Sequence, residues 1–299
     1  MGRAVPLTAA AILRRIHPST MNDTTEYHVF SKMFQPPVAR GPEELCDLLA
    51  AAGCDGVQWT VRPGGHVEPE RAREDLPRFV AAAASRGLRC RSICTAIGDG
   101  SSPADEELLR VAADCGVELF RPAYQLYGEP RETAAAALER FRRAFASLAA
   151  LGARTGVKAA YQNHSPWWGP RVFGSVVWDL WEVLRDLDPA TVGLEFDPMY
   201  AVFQTGQAWR HAFPLVAPWI AALDLKDFRH APSRTPGRPF EIEMVAGGGG
   251  EVPWDELRAL VDACGVRVPR ILHFEWPFDR ADPLPDVRRE LAFFRRAVG

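Results

Sequence analysis

Charged and amide side chains close several short apolar runs of this chain: Lys32, Arg62, Arg121, Gln162 with Asn163 and His164, Asp197, Asp224 with Lys226 and Asp227, and Glu275. A charge buried without a partner costs several kcal/mol, so these groups must face one another, water or a metal ion. Alternate side chains of a strand share a face, which pairs Gln162 with Ala160, Asp197 with Glu195, Asp224 with Lys226 and Glu275 with His273. Four adjacent strands would then each send one oxygen donor, from Gln162, Asp197, Asp224 and Glu275, to a common point. Three carboxylates and a neutral amide carry a formal charge of −3 in hard donors, which suits Mg²⁺ or Mn²⁺ and fits zinc poorly. A carboxylate cluster neutralised by Lys226 and the arginines, without metal, is the other reading, and both stay open.

Proton transfer next to a carbonyl needs a base poised near neutral pH and an electrophile to hold the oxyanion. Glu275 and His164 are the acid/base candidates. His164 follows Gln162 by two and points to the same mouth, and imidazole ordinarily titrates near working pH; a structural histidine bonded to a loop carbonyl is the competing reading. Lys226 either polarises a carbonyl or is salt-bridged to Asp224 or Asp197. The Arg62-Pro63-Gly64-Gly65-His66 loop offers a cation, two glycine N–H groups and a second imidazole to an anion, or is a tight turn in which Arg62 closes a carboxylate. Trp167 and Trp168 either cover an apolar sugar face or pack a lid or an oligomer contact, whereas Trp178 and Trp181 read as core. Substrate contacts are expected from Lys32, Arg62, His66, Arg121, Asn163, Trp167 and Trp168.

Two further segments draw the eye. The glycines at 247–250 follow no strand directly and lack a succeeding Lys-Ser/Thr pair, so they read as a flexible active-site loop and not as a nucleotide cradle. Residues 229–238, basic and proline-rich, read as a solvated insertion that could fold over the substrate.

These residues need elements to position them. Apolar runs rich in Val, Ile, Leu and Phe predict strands over 28–32, 56–60, 89–95, 117–121, 157–163, 192–197, 220–226 and 271–275. Between them, stretches of 3.6-residue period predict helices over 42–52, 76–86, 104–115, 130–155, 176–187, 205–216, 253–264 and 284–298. Gly53, Gly87, Gly116, Gly156 and Gly265 stand where a left-handed helix cap is wanted. Eight alternating units without a break in composition predict a single (β/α)8 barrel, whose function lies where strands end and the following loops begin. An open doubly wound sheet would want a glycine-rich turn after its first strand, and residues 31–37 are not one.

The chain has 299 residues, 47% of them apolar and 24% charged, which assures a core and disfavours a disordered or fibrous polymer. Its net charge of −3 has the wrong sign for a protein that tracks phosphates, so dedicated nucleic-acid binding is disfavoured. No apolar run approaches the roughly 20 residues that span a bilayer. The six cysteines lack a C-x-x-C pair and read as reduced, mostly buried thiols, as in cytoplasm. Residues 1–25 read as a flexible extension before the barrel domain at 26–299, and Met21 is an alternative start.

The series Tyr161-Gln162-Asn163-His164, Phe196-Asp197-Pro198-Met199-Tyr200, Leu223-Asp224-Leu225-Lys226-Asp227 and Phe274-Glu275 resembles the sugar phosphate isomerase/epimerase group of the xylose isomerase-like TIM barrel superfamily, which also holds endonuclease IV and dehydroshikimate dehydratases. Residues 56–67 and 249–254 strengthen the likeness, which spans about residues 27 to 279. It implies Glu, Asp, His and Glu on strands five to eight as ligands of a divalent metal, with another His three residues after the Asp. Here Gln162 replaces the first Glu, Asp224 the ligand His and Tyr200 the later His, which makes Tyr200 a further candidate substrate contact; Asp197 and Glu275 match. The resemblance implies a sugar or cyclitol isomerase or epimerase, with a lyase or a noncatalytic carbohydrate-binding barrel as alternatives. The partner implied is a small carbohydrate-like molecule, with self-association open. Endonuclease activity needs several metals and many histidines, and seven His with few at strand ends argue against it.

Overall fold

The computed structural model describes residues 25–36, 38, 41–128, 132–168 and 171–299. The expected extension, apart from residue 25, the alternative start at Met21, and the start of the expected helix at Pro130 lie outside them. In chain order the strands are β1 (Tyr27–Phe30), β2 (Gly56–Val61), β3 (Ser92–Thr95), β4 (Leu119–Arg121), β5 (Lys158–Gln162), β6 (Val192–Phe196), β7 (Ile220–Leu225), β8 (Asp227–Pro232), β9 (Phe240–Val245) and β10 (Arg270–Leu272). All but β8 and β9 close into one parallel barrel in the order β1-β10-β7-β6-β5-β4-β3-β2. The expected (β/α)8 barrel is the fold.

Alternation within the strands builds two apolar layers. Outward residues such as Val57, Trp59, Ile93, Phe120, Tyr161, Leu194, Leu223 and Leu272 join the large core between strands and helices. Inward residues Phe30, Cys94, Leu119, Ala160, Ala222 and Ile271 make a much smaller cluster within the barrel. Its small members leave room for the polar side chains above them. A shift of register between β6 and β7 at Leu194/Glu195 re-aims the end of β6, a common use of such irregularities beside a site.

The helices are α1 (Pro42–Ala52), α2 (Ala72–Ala84), α3 (Pro103–Asp114), α4 (Ala134–Thr155), α5 (Val177–Leu184), α6 (Pro198–Thr205), α7 (Trp209–Val216), α8 (Trp254–Ala263) and α9 (Leu284–Val298). All five expected cap glycines have positive φ, from 65° at Gly265 to 84° at Gly53, a region that costs glycine little. The helix expected over 205–216 is α7, beginning only at Trp209, and a separate, unexpected helix, α6, precedes it and ends where the chain turns out of helical geometry at Gly206 (φ 52°, ψ −127°). The earlier one, α6, starts as its sequence directs, with Pro198 in its first turn and the Asp197 carboxylate accepting the Tyr200 N–H.

Residues 229–238 are the expected largely exposed insertion after β7, but an ordered one: residues 229–232 lie in β8 and the rest form the turn to β9, an antiparallel hairpin in which Arg229 pairs across the strands with Glu243. The glycines at 247–250 therefore follow β9 directly, and they are tied down. The Asp227 carboxylate accepts the N–H groups of Gly248, Gly250 and Val252 and the Trp254 indole N–H, at 3.0 to 3.2 Å. Gly250 is required there, since a Cβ on it would lie 2.2 Å from an Asp227 oxygen. The run is a carboxylate cage at the root of the hairpin, not a flexible active-site loop.

Candidate active site

The strand ends do bring charge together. The Lys226 ammonium lies 3.0 Å from Asp197 Oδ2 and 3.2 Å from Glu275 Oε1, over the Tyr200 ring at 3.9 Å from its centroid. His273 reaches Asp224 Oδ1 through Nε2 and Glu275 Oε1 through Nδ1, both at 3.2 Å. Arg121 holds Glu195 at 2.9 Å and stands 4.0 Å from Asp224. The remaining Glu195 oxygen accepts the Gln58 amide at 2.8 Å. Gln162 donates to Asp224 Oδ2 at 2.5 Å and to Asp197 Oδ2 at 3.4 Å, while its carbonyl accepts the Tyr124 hydroxyl at 2.5 Å.

Burial and charge set the protonation states. Burial opposes charge on Lys226, but Asp197 and Glu275 outweigh it and hold the ammonium well above its ordinary pKa. Burial likewise opposes ionisation of Glu275, and Lys226 with His273 outweighs it, keeping that carboxyl well below the usual range. His273 is raised, burial being overcome by Asp224 and Glu275. Glu195 is pushed up to about 8 by burial and by Asp224. Near neutral pH the carboxylates of Asp197, Asp224 and Glu275 thus face the cations of Lys226, Arg121 and His273.

Other expected residues divide. The His164 ring accepts the Tyr200 hydroxyl at Nε2 (2.9 Å) and donates from Nδ1 to the Ser165 carbonyl (2.9 Å); burial and then Lys226 lower its pKa to about 4. Lys32 follows β1, the neighbour of β10, and so stands beside Glu275, exposed, while Arg62 follows β2 and is half-buried; neither makes an ion pair with a described residue. Arg62 and Arg121 converge on the Cys94 sulfur, at 3.7 Å and 3.0 Å. His66 is elsewhere: Ser31 and Thr60 flank its Nδ1, and its ring packs on Trp59 and Phe79 of the outer core. Asn163 is spent on the backbone, donating to the Asp197 carbonyl at 2.9 Å and accepting its N–H at 2.7 Å. Trp167 stacks on Phe240 at 5.0 Å and so packs the hairpin against the loop after β5. The Trp168 side chain lies outside the described residues.

The site also uses residues to which the sequence reading gave no role. Glu195 and His273 were legible as face-mates of Asp197 and Glu275, one pleat deeper. Tyr124 and Gln58 carried no comparable signal, since neither closes a strand with a charge.

A divalent ion on the four expected oxygens does not fit this arrangement. An ammonium already bridges Asp197 and Glu275, and the Gln162 amide directs its N–H groups, not its oxygen, at the carboxylates. Among the described residues, Glu195, Asp224 and His273 have ligand atoms within 4.8 Å of one another, a spacing that could hold a metal. Asp224 Oδ1 and His273 Nε2 lack well-directed hydrogen bonds, yet they face each other as an ion pair, and both Glu195 oxygens are occupied.

Comparison with known proteins places this chain in a family. The probable 3-DHS dehydratase AsbF from Bacillus anthracis superposes with a TM-score of 0.67 at 15% identity, over 90% of this chain and 99% of that one. The 3-keto-D-glucoside 4-epimerase YcjR from E. coli gives 0.66 at 13%, over 91% and 100%. The IOLI protein, solved with a zinc atom, gives 0.69 at 11%, over 90% and 96%. Likeness at such identity speaks for the fold. Among curated proteins none matches the sequence. The sequence model described as xylose isomerase-like TIM barrel matches residues 46–297, and the chain belongs to that family.

Proposed function

We propose that this protein is an enzyme that moves a proton on a carbon next to a carbonyl of a small polyhydroxylated substrate, a sugar or cyclitol with or without phosphate, in an isomerase or epimerase type of reaction. The observation that carries the reading is Glu275: its side chain is 26% exposed, whereas those of Glu195, Asp197 and Asp224 are 0% exposed. An ionised carboxylate that reaches the mouth while its neighbours are sealed is the group placed to take a carbon-bound proton, once substrate binding loosens the Lys226 and His273 contacts that hold its pKa below the neutral range a base needs. Lys226 behind it, with Lys32 and Arg62 at the rim, supplies positive charge to steady an enediolate. Mg²⁺ or Mn²⁺, the ions suited to the expected oxygen set, have no part in this step.

Gln162 favours one form of the chemistry. Inversion of a carbon by two bases needs a second proton acceptor facing the first, and both polar ends of Gln162 are committed to Asp224 and Tyr124. A single base suffices to pass a proton between neighbouring carbons of an aldose and a ketose, or to start the elimination of a β-hydroxyl. Aldose–ketose isomerisation is therefore the preferred form, with a lyase second.

The test is turnover of a panel of ketoses, aldoses and cyclitol ketones in D2O. Deuterium is expected at the carbon beside the carbonyl, and Glu275→Gln should lower the rate by roughly 10² to 10⁴. Product free of solvent deuterium, with Glu275→Gln nearly fully active, would defeat the reading and leave a noncatalytic carbohydrate pocket or chemistry without carbon deprotonation.

A further inference from the structure

Asp197 and Glu275 are the two positions at which this chain has the carboxylates that its family resemblance implies as metal ligands. What stands between them is a side chain of the protein itself. Lys226 Nζ lies 3.0 Å from one and 3.2 Å from the other, its side chain 1% exposed. We infer that the Lys226 ammonium is the resident cation of this barrel, and that no divalent ion binds among its carboxylates while Lys226 is in place.

Three observations carry this. A metal ion bound at roughly 2.1 Å to the same two oxygens would lie within about 5 Å of the ammonium, so the sealed pocket would have to hold both charges together. The Tyr200 ring under the ammonium, 3.9 Å from Nζ to centroid, favours a cation at that place and would have to give it up. Finally, the deeper group of Glu195, Asp224 and His273 is served by cations as well. Arg121 holds one Glu195 oxygen and stands 4.0 Å from Asp224, and His273 lies between Asp224 and Glu275. Each of the four carboxyl groups thus has a protein cation within 3.2 Å, and with burial holding Glu195 protonated near neutral pH the three cations match the three remaining charges, which leaves a divalent ion no anionic charge to neutralise.

The inference concerns occupancy of the site proposed above, and its test reads occupancy, so it stands or falls apart from the carbonyl chemistry. The full-length protein and its Lys226→Met variant are stripped with chelator, exchanged into buffer and titrated calorimetrically with MnCl2 and ZnCl2, with melting temperatures recorded in parallel. The unaltered protein is expected to take up no stoichiometric metal and to melt at a temperature that neither ion nor EDTA moves. Lys226→Met, left with two carboxylates and no common counterion, is expected to bind about one equivalent and to melt higher with Mn²⁺. Adding Asp197→Asn should abolish that uptake. One equivalent bound by the unaltered protein, and lost on changing Asp197, Asp224 or Glu275, overturns the inference. A folded Lys226→Met variant that binds nothing overturns it too. Should that variant fail to fold, the unaltered protein decides alone: no uptake upholds the inference and stoichiometric uptake defeats it.

Discussion

A histidine that donates from Nδ1 to a carbonyl and accepts a phenol at Nε2 has its tautomer fixed, and His164 does both. Because burial and the Lys226 ammonium lower its pKa to about 4, the ring is neutral throughout the physiological range and has no proton to give as an acid. It can pass hydrogen-bond polarity from Tyr200 toward the mouth. The ring should therefore titrate near pH 4 by NMR, and His164→Asn should leave the pH–rate profile above pH 5 unshifted; a midpoint between 6 and 7 would restore it as an acid/base candidate. The sequence shows why this was hard to foresee. Position 164, two beyond Gln162, locates the ring correctly, but its protonation depends on Tyr200 and Lys226, which come from other elements. Lys226 itself poses the same difficulty: as a residue type it suits an electrophile, a salt bridge or a bystander to metal, and the distances that separate these options are set by neighbouring strands.

At the scale of elements, the barrel was legible because each strand carries its own signals. Inside and outside residues alternate in runs such as Leu119-Phe120 and Ile271-Leu272, and glycine follows α1 and α4 where the caps require it. The hairpin was not, because residues 229–238 contain charged groups and prolines that resemble loop chemistry when no partner strand is in view. Its root offers a sharp comparison between adjacent glycines. A Cβ at Gly250 would meet Asp227 Oδ1 at 2.2 Å and the Phe228 carbonyl at 2.3 Å, whereas one at Gly249 meets the Ala246 carbonyl at 3.1 Å. Gly250→Ala is expected to destabilise by about 2 kcal/mol or more and Gly249→Ala by about 1 kcal/mol or less, read from chemical denaturation. Equal losses would show that Asp227 is not the anchor of this segment.

At the scale of the whole molecule, the far end of the barrel is tied by charge. Glu26, just before β1, lies 3.1 Å from His28, 2.6 Å from Arg89 and 3.5 Å from Arg91, so it links the start of β1 to the approach of β3. Its hydrogen bond with His28, working against burial and aided by the arginines, lowers the carboxyl to about 2. A carboxyl lowered on folding contributes stability that is present above its unfolded pKa, near 4.5, and is lost as pH falls toward 2. Glu26→Gln is thus expected to destabilise by about 1 kcal/mol at neutral pH, solvent screening included, and to flatten the fall in stability between pH 4.5 and 2, measured by urea denaturation at stepped pH. An unchanged slope would assign the acid sensitivity elsewhere. The hairpin of β8 and β9 stands apart from this economy, since it pairs with itself and adds no rung to the closed ladder. A closed ring with an appendage stapled at its root and leaning on Trp167 behaves as a chassis with an added part. Hairpins of other length or charge that keep the Trp167 contact can be grafted between Asp227 and the glycine cage without reopening the ring.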